Sequence, residues 1–171
     1  MGEWASMASD LHTERLHLGP WQQVDLDDYE ALVHERDPRT AAASRDRSRE
    51  ALLTSLVGQQ ASIVKTGIGL LTVRMADAFA GYCGLVEGHA SLDKPEIAFE
   101  LLVAYQGRGI ATEAASAMVQ APKATGRGRL WATVRSWNEP SFRVLHKVGF
   151  ERTERTTRDT FGETVWCTRR L

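Results

Sequence analysis

Cysteine is scarce in this chain, and neither cysteine lies in a pattern typical of a redox or metal centre. Two of the 171 residues are cysteines, Cys83 and Cys167. Both lie in strand-like segments without a CxxC spacing, so we expect buried, reduced thiols. The five histidines are His12, His17, His34, His89 and His146. They form no HExxH motif and have no carboxylates at ligand spacing, so we expect no metal.

Long apolar runs are also absent. No segment approaches the roughly 20 residues that cross a bilayer, and 43% hydrophobic and 25% charged residues are typical of a globular domain. We expect no membrane partner and, by default, a cytoplasmic location. Residues 1–10 lack the cationic start and apolar stretch of a secretion signal. They predict a flexible N-terminal tail before one domain at residues 11–171.

Charge is unevenly distributed. Residues 1–102 hold 9 Lys/Arg and 16 Asp/Glu, whereas residues 103–147 hold 7 and 2. A basic region suits a polyphosphate ligand and an acidic region would attract a cationic amine, although solvated faces that simply differ would give the same pattern. The net charge of −1 and the lack of basic residues interleaved with aromatics argue against a nucleic-acid partner.

Hydrophobic periodicity predicts a mixed α/β order of strand, two helices, three strands, helix, strand, helix and hairpin. The second helix is predicted to open in the polar stretch 44–50 and to end at Gly58, and Ile63–Val64 then reads as β-rich. The other predicted elements are a strand at 15–18, a helix from Asp25, strands at 69–75, 79–86 and 97–103, a helix from Ile110, a strand at 130–134, a helix from Asn138 to Gly149 and a hairpin turning at 159–162.

A glycine loop, Gln106-Gly107-Arg108-Gly109-Ile110-Ala111, lies between a predicted strand and a predicted helix. Unpaired N–H groups at a helix start, with glycines that permit close approach, can bind phosphate oxygens. A Walker P-loop is set aside because Gly-Lys-Ser/Thr is missing. A dinucleotide fingerprint fails because Thr112 replaces Gly or Ala and because Arg127 and Arg129 stand where an acidic residue is expected. A tight turn with incidental glycines is the alternative for this loop taken alone.

Further segments form an ordered set with this loop. They are Glu96-Ile97-Ala98-Phe99-Glu100-Leu101-Leu102-Val103, the glycine loop, Thr112-Glu113-Ala114, Asn138-Glu139-Pro140-Ser141-Phe142 and Lys147-Val148-Gly149-Phe150. Together they resemble the GNAT family of N-acetyltransferases. Thr13-Glu14-Arg15-Leu16 and the Asn-x-x-Ser-x-x-x-x-x-Lys-x-Gly-Phe spacing are most similar to the RimJ/RimL-type branch of ribosomal-protein N-terminal acetyltransferases. The resemblance covers residues 11–171.

The resemblance implies the GNAT fold, a mixed, mostly antiparallel twisted sheet of about seven strands flanked by four helices, with splayed central strands. It also implies acetyl-CoA as cosubstrate. In the family the glycine loop binds the coenzyme A pyrophosphate, and the strand before it pairs with the pantetheine arm. By resemblance the cofactor-binding residues are Leu101, Leu102, Val103, Gln106, Gly107, Arg108, Gly109, Ile110, Ala111, Asn138 and Ser141.

One of these residues has an alternative role. Asn138 is equally suited to cap the helix that follows it. Arg143 and Lys147 share one helix face and either meet the adenosine phosphate or are simply solvated. A backbone N–H of Leu102 or Val103 is the expected oxyanion donor.

The catalytic candidates follow from the needs of acetyl transfer, which requires a neutral amine and a proton for the departing thiolate. Glu100 and Glu96 share one face of a predicted strand and are candidate bases acting through a water; solvated strand-edge charges are the alternative. Many GNAT enzymes use a tyrosine acid where this chain has Leu145. Ser141 is therefore the candidate acid. The alternative is that Ser141 has no catalytic role and only occupies the first turn of the helix.

These inferences predict an enzyme that moves an acetyl group from acetyl-CoA to a primary amine by direct attack in a ternary complex. The acceptor is a protein N-terminus or a small-molecule amine, and a terminal α-amine, with a pKa near 7.7 to 8.0, needs less help than lysine. Loops near residues 34–50 and 86–95 would shape its pocket. The resemblance leaves a homodimer open. A non-catalytic coenzyme A-binding or sensor domain is the alternative, and a nicotinamide-dependent oxidoreductase rests on Gly107-x-Gly109 alone.

Overall fold

A computed structural model of the protein describes residues 4–40 and 45–171. In these ranges eight strands form one mixed sheet in the order β1-β2-β3-β4-β5-β6-β8-β7, accompanied by four helices. The elements are β1 Leu11–His12, β2 Leu16–Gly19, α1 Leu26–His34, α2 Arg49–Thr66, β3 Leu70–Met75, β4 Ala78–Val86, β5 Glu96–Leu101, α3 Ile110–Gln120, β6 Arg129–Arg135, α4 Glu139–Lys147, β7 Glu151–Asp159 and β8 Gly162–Arg170. The predicted fold class is confirmed, and the strand beyond the seven expected is the two-residue β1.

The middle of the sheet is nearly unpaired. β5 and β6 run parallel and share the single register pair Glu96↔Trp131, beside which the Trp131 N–H donates to the Pro95 carbonyl at 2.9 Å. β4 pairs along the whole of β5, and β8 pairs along the whole of β6. Beyond Glu96, the facing edges of β5 and β6 therefore form no register pairs with each other, as expected for splayed strands.

Helix α3 positions the glycine loop at this gap. It packs on β4, β5 and α4, with Ala114, Ala115 and Met118 fully buried in the main hydrophobic core. Small alanines let the helix approach the sheet closely, and each fully buried large aliphatic side chain contributes about 1.5 to 3 kcal/mol. The start of α3 is consequently fixed beside the end of β5.

A second, smaller core joins α1 and α2 to the sheet. It contains Trp21, Leu32, Leu56 and Phe79, all buried. The indole N–H of Trp21 also donates to the Leu70 carbonyl at 3.1 Å. This packing fixes the end of α1, after which Glu35 and Arg36 contact Val103 and Glu100 at the end of β5.

Helix α2 is longer than the sequence pattern indicated. It runs through Gly58 and includes Ile63–Val64, so the predicted stop and the predicted β-rich run were both wrong. A single glycine inside a helix costs only about 1 kcal/mol, and the flanking glutamines and alanines are good helix formers. Ser48 caps the start, and Gly67 ends the helix in the left-handed region at φ 76°. Residues 41–44, where the predicted opening begins, lie outside the described residues.

Both cysteines are buried and unpaired with each other, as predicted. Burial raises the pKa of the Cys83 thiol, and more weakly that of Cys167, so both thiols remain protonated.

The residues before β1 contact the domain. Met7 is buried, and its N–H donates to the Gly67 carbonyl at 2.8 Å. The guanidinium of Arg127 donates to the Ala5 carbonyl at 3.1 Å. Within the described ranges, no helix is both long enough and apolar enough to cross a bilayer.

Candidate active site

A cleft of about 880 Å³ opens where β5 and β6 stop pairing. Two groups of residues form it. The first, here called the loop wall, comprises Tyr105, Gln106, Gly107, Gly109, Ile110, Ala111, Thr112, Asn138, Pro140, Ser141, Arg143, Val144 and Lys147. The second, the ion-pair wall, comprises Leu32, Glu35, Arg36, Asp37, Pro38, Arg39, Thr40, Glu100 and Trp137. Phe99, Leu101 and Val103 lie between the two walls along the end of β5.

The loop wall presents backbone N–H groups. Gly107 and Gly109 adopt left-handed φ values of 69° and 76°, which a side chain would strain. The first hydrogen bond of α3 runs from the Glu113 N–H to the Gly109 carbonyl at 3.0 Å. The N–H groups of residues 110–112 therefore have no intrahelical acceptor, and these residues line the cleft. This geometry suits an anion such as a diphosphate.

A clamp from the N-terminal hairpin holds this helix start. Glu113 accepts hydrogen bonds from the Thr13 hydroxyl at 2.5 Å, the Arg15 N–H at 2.9 Å and the Arg15 guanidinium at 2.7 Å. Arg15 also donates to the Arg108 carbonyl at 3.1 Å. Burial alone would raise the pKa of Glu113, but these hydrogen bonds lower it below its ordinary value. The Thr13–Arg15 motif thus supports the glycine loop.

Positive charge lies on the same wall. Arg143 and Lys147 line the cleft, and within residues 4–40 and 45–171 neither belongs to an ion pair. The Arg108 side chain is not part of the lining and lies 5.7 Å from the Tyr105 ring centroid. Two uncompensated cations therefore remain available to a polyphosphate.

Asn138 and Ser141 begin α4 at the cleft. The Asn138 side-chain oxygen accepts the Ser141 N–H at 3.3 Å, so Asn138 is a helix cap as well as a lining residue. Ser141 is half-buried and lines the cleft. Leu145, at the position of the usual tyrosine, is 2% exposed in the core. Ser141 is therefore the residue of α4 that brings a side-chain hydroxyl to this wall.

Most backbone polar groups at the end of β5 and just after it already form hydrogen bonds within the protein. The Leu102 N–H donates to the Ala80 carbonyl at 2.9 Å, and the Val103 N–H donates to Glu35 Oε2 at 2.6 Å. The Gln106 side chain donates to the Leu101 carbonyl at 3.0 Å. Because N–H directions alternate along a strand, the Leu101 N–H faces away from β4 and toward the gap. Neither N–H expected to stabilise an oxyanion is free in this arrangement.

Glu100 is bound to an arginine and a tyrosine. Its carboxylate accepts the Arg36 Nε–H at 2.8 and 3.1 Å and the Tyr82 hydroxyl at 2.7 Å. Burial would lower the pKa of Arg36, but Glu100 raises it above its ordinary value. Burial, then the charge of Glu100, raise the pKa of Tyr82 well above its ordinary value, so Tyr82 keeps its proton. Glu100 is thus at the cleft, as predicted, but it is already engaged as an acceptor.

Glu96, the other candidate base, lies outside the cleft lining. It is 5% exposed. One carboxylate oxygen accepts the His89 N–H at 2.5 Å and the other accepts the Thr133 hydroxyl at 2.8 Å. The structure therefore does not bring Glu96 to the other predicted residues; it fixes the junction of β5 and β6.

The segment after α1 reaches across to the residue before Asn138. Arg39 is paired with Asp37 at 2.6 Å and lies 3.9 Å from the centroid of the Trp137 ring. Hydrogen bonds from Arg39 lower the pKa of Asp37 to about 2. The indole N–H of Trp137 is buried without a hydrogen-bond partner within the described residues. Of the two loops predicted to shape an acceptor pocket, 34–50 contributes residues 35–40 to the cleft lining, and 86–95 contributes none.

Comparisons with known proteins agree with this geometry. The family profile described as the acetyltransferase (GNAT) domain matches residues 15–151. No curated protein matches the chain significantly. Solved structures of similar fold include a protein from Bordetella pertussis described as a GNAT-family acetyltransferase, 23% identical, covering 95% of this chain and 99% of its own, with a TM-score of 0.78.

Two further structures of this fold were determined with ligands. RimJ from Mycobacterium smegmatis, in complex with a CoA-disulfide, is 21% identical over 91% of this chain and 82% of its own, with a TM-score of 0.76. The microcin C7 self-immunity acetyltransferase MccE, in complex with acetyl-CoA and AMP, is 14% identical over 93% and 94%, with a TM-score of 0.76. The gap, the glycine loop at a helix start and the matched profile together show that the chain belongs to the GNAT family of acetyl-CoA-dependent N-acetyltransferases.

Proposed function

We propose that this enzyme transfers the acetyl group of acetyl-CoA to a primary amine by direct attack in a ternary complex, the amine being held at the ion-pair wall. The observation that carries the proposal is the cleft itself, which joins an anion-binding helix start to an unpaired strand edge. A thioester carried by a diphosphate-bearing chain would lie along that edge, with its carbonyl between the two walls.

The loop wall holds the cosubstrate in this proposal. Backbone N–H groups of the glycine loop bind the diphosphate, and Arg143 and Lys147 face the remaining phosphate charge. The Leu101 N–H and Asn138 pair with the pantetheine arm. The Ser141 hydroxyl donates a hydrogen bond to the sulfur as the carbon–sulfur bond breaks and the thiolate forms.

The ion-pair wall recognises the acceptor. Glu100 with Arg36 and Asp37 with Arg39 are neutral pairs, which leaves Glu35 as the uncompensated carboxylate of this wall. Only its Oε2 accepts a hydrogen bond within the described residues. An ammonium group is therefore attracted to Glu35 beside the end of β5, and Glu100, held by Arg36, supports that site.

The acceptor must lose a proton before it attacks. A terminal α-amine is already appreciably neutral near pH 8, whereas a lysine amine is almost wholly protonated. Glu100 is ion-paired, Glu96 is outside the cleft, and the negative charge of Glu35 favours the protonated form of a nearby amine. The described residues therefore offer little help in deprotonating a strongly basic amine. The geometry therefore favours an acceptor of low basicity, such as a peptide N-terminus.

A non-catalytic coenzyme A sensor is the second candidate. Leu145 at the usual tyrosine position and the engaged carboxylate of Glu100 favour it. Turnover distinguishes the two functions, because a sensor binds acetyl-CoA but acetylates no amine.

The test has two arms. In the first, acetyl-CoA at about 100 times its dissociation constant is expected to stabilise the fold by roughly 2.7 kcal/mol, seen as a rise in Tm of several degrees; NADH serves as the control nucleotide. In the second, thiol release is measured against free and N-blocked peptides, a polyamine and an amino sugar. Binding without turnover on any amine selects the sensor, and no binding overturns both functions.

Ser141→Ala tests the role at the sulfur. We expect kcat to fall about tenfold with little change in the Kd of acetyl-CoA, because the hydroxyl acts chiefly as the thiolate leaves. Ser116→Ala, on the exposed side of α3, is the matched control. An unchanged kcat in Ser141→Ala would remove this role.

Four expectations from the sequence remain predictions: the cytoplasmic location, the homodimer, the lack of nucleic-acid or membrane partners, and the domain bounds at residues 11–171.

A further inference from the structure

Three potential metal ligands meet on the N-terminal hairpin, away from the cleft. His12 on β1 and His17 on β2 are directly opposite in the register. Their rings stack at 4.4 Å with 5° between the planes. Asp10 Oδ1 lies 2.5 Å from His17 Nε2 and 3.4 Å from His12 Nε2. One ligand atom from each residue lies within 4.8 Å of the others.

The grouping depends on strand pairing. In the sequence the two histidines are separated by four residues and form no HExxH motif, and the expectation of no metal rested on that motif and on the lack of clustered carboxylates at ligand spacing. The hairpin turns that separation into direct opposition across a strand pair, where side chains of a face approach within about 5 Å. Asp10, just before β1, then reaches both imidazoles.

We propose that Asp10, His12 and His17 form a binding site for one divalent transition-metal ion of the zinc class. Imidazole and carboxylate are common zinc ligands, and two histidines with one carboxylate leave a fourth position for water. The site is independent of acetyl transfer and does not rest on the proposed function.

The ligand-atom distances fit this assignment, but one ring must turn. A zinc ion lies in the plane of each imidazole that binds it, and the nearly parallel planes of His12 and His17 meet at the ion only after one side chain rotates. Tetrahedral zinc with bonds of about 2.0 to 2.2 Å places its ligand atoms roughly 3.4 Å apart, the separation of Asp10 Oδ1 from His12 Nε2. The shorter contact from His17 to Asp10 is a direct hydrogen bond. Zinc binding at Nε2 requires the ring proton to be on Nδ1, so the hydrogen bond to Asp10 gives way to the metal by a change of tautomer. All three side chains are substantially exposed, which permits this shift.

The ion would cross-link β1 to β2, and this cross-link is here called the staple. β1 has two residues and pairs only with β2 within the described sheet. The connection between His12 and His17 includes Thr13 and Arg15, which clamp Glu113 at the start of α3. Bridging the two strands stabilises the hairpin that supports the glycine loop.

The test is calorimetric titration of zinc chloride into tag-free, chelator-treated protein. We expect one zinc per chain. His12→Ala and His17→Ala are expected to abolish binding, and Asp10→Asn to weaken it about tenfold. His146→Ala, an exposed histidine on α4, should bind zinc like the original chain. No saturable binding, or equal binding by the His12→Ala and His17→Ala variants, would overturn the site.

Two measurements guard against misreading that result. Without metal, the three variants should show the Tm of the original protein, because the side chains are exposed and outside both cores. With zinc, only proteins that keep all three ligands should gain several degrees. Cobalt should give the absorption bands of a tetrahedral site in the original chain alone; octahedral bands or an unchanged Tm would contradict the staple.

Discussion

The two walls of the cleft are built by different physical means. The loop wall uses main-chain N–H groups held in place by glycine geometry and by the start of α3, so its binding groups come from residues adjacent in sequence. The ion-pair wall uses side chains that meet across long sequence separations, as Arg36 and Glu100 do. Under the proposed function, diphosphate binding therefore depends chiefly on a short motif, whereas acceptor recognition depends on tertiary packing.

Gly109→Val changes the loop wall and has the largest expected effect on acetyl-CoA binding. A β-branched residue at φ 76° costs about 1 to 3 kcal/mol and turns the first N–H groups of α3 away from the cleft. We expect the Kd of acetyl-CoA to rise at least about tenfold, or 1.4 kcal/mol, measured by calorimetry. Gly128→Ala is the control, since an added Cβ there meets nothing within 4 Å. Unchanged affinity in Gly109→Val would show that backbone groups do not build this wall.

Arg36→Met attacks the ion-pair wall. The pair is mostly buried, at 12% and 24% side-chain exposure, and loss of the cation leaves Glu100 uncompensated. We expect a loss of about 2 kcal/mol in the free energy of unfolding, measured in urea. The double variant Arg36→Met/Glu100→Gln should recover part of this loss, because the orphaned charge is gone. Strictly additive effects would contradict a coupled pair.

Glu35→Gln separates acceptor binding from cosubstrate binding. Removing the negative charge should raise the KM for the amine about tenfold, roughly 1.4 kcal/mol, while the Kd of acetyl-CoA changes less. Glu87→Gln, an exposed carboxylate outside the cleft, is the matched control. If both variants raise the KM equally, the effect is general electrostatics and Glu35 has no special role.

Glu113→Gln probes the clamp beneath the loop wall and has the smallest expected effect. We expect a loss of about 1 kcal/mol at neutral pH, since three hydrogen bonds to a charged acceptor are weakened. The folded-state pKa of Glu113 is lowered, so its contribution is complete above the ordinary value near 4.3 and disappears as pH falls through the lower folded value. Urea unfolding of both proteins should therefore converge at acid pH; a constant difference would contradict the linkage.

The same contrast explains what the sequence could and could not predict. The glycine loop, Asn138 and Ser141 were found through a family resemblance that local spacing carries, and the structure places all of them at the cleft except Arg108. Glu35, Arg36 and Tyr82 were missed because nothing in their neighbourhoods marks them. Their roles arise when α1 and β4 are brought against the end of β5.

Glu96 and α2 illustrate the limits of periodicity. Strand alternation correctly suggested that Glu96 shares a face with Glu100, but pairing with β6 and the turn at His89 bury it. In α2, Gly58 looked like a stop, and the β-branched residues beyond it looked like a strand. Helix continuation outweighs one glycine when a better terminator, Gly67, follows.

The near-absence of pairing between β5 and β6 has a mechanical consequence. The sheet consists of a five-strand ladder and a three-strand ladder that share one rung, at Glu96 and Trp131. The β5–β6 junction resists sliding of the strands far less than either fully paired set, because in those sets many hydrogen bonds resist the force together. In the proposed complex, the extended pantetheine arm lies in the gap and supplies the missing hydrogen bonds. On that proposal, the enzyme is most rigid when its own substrate completes the sheet.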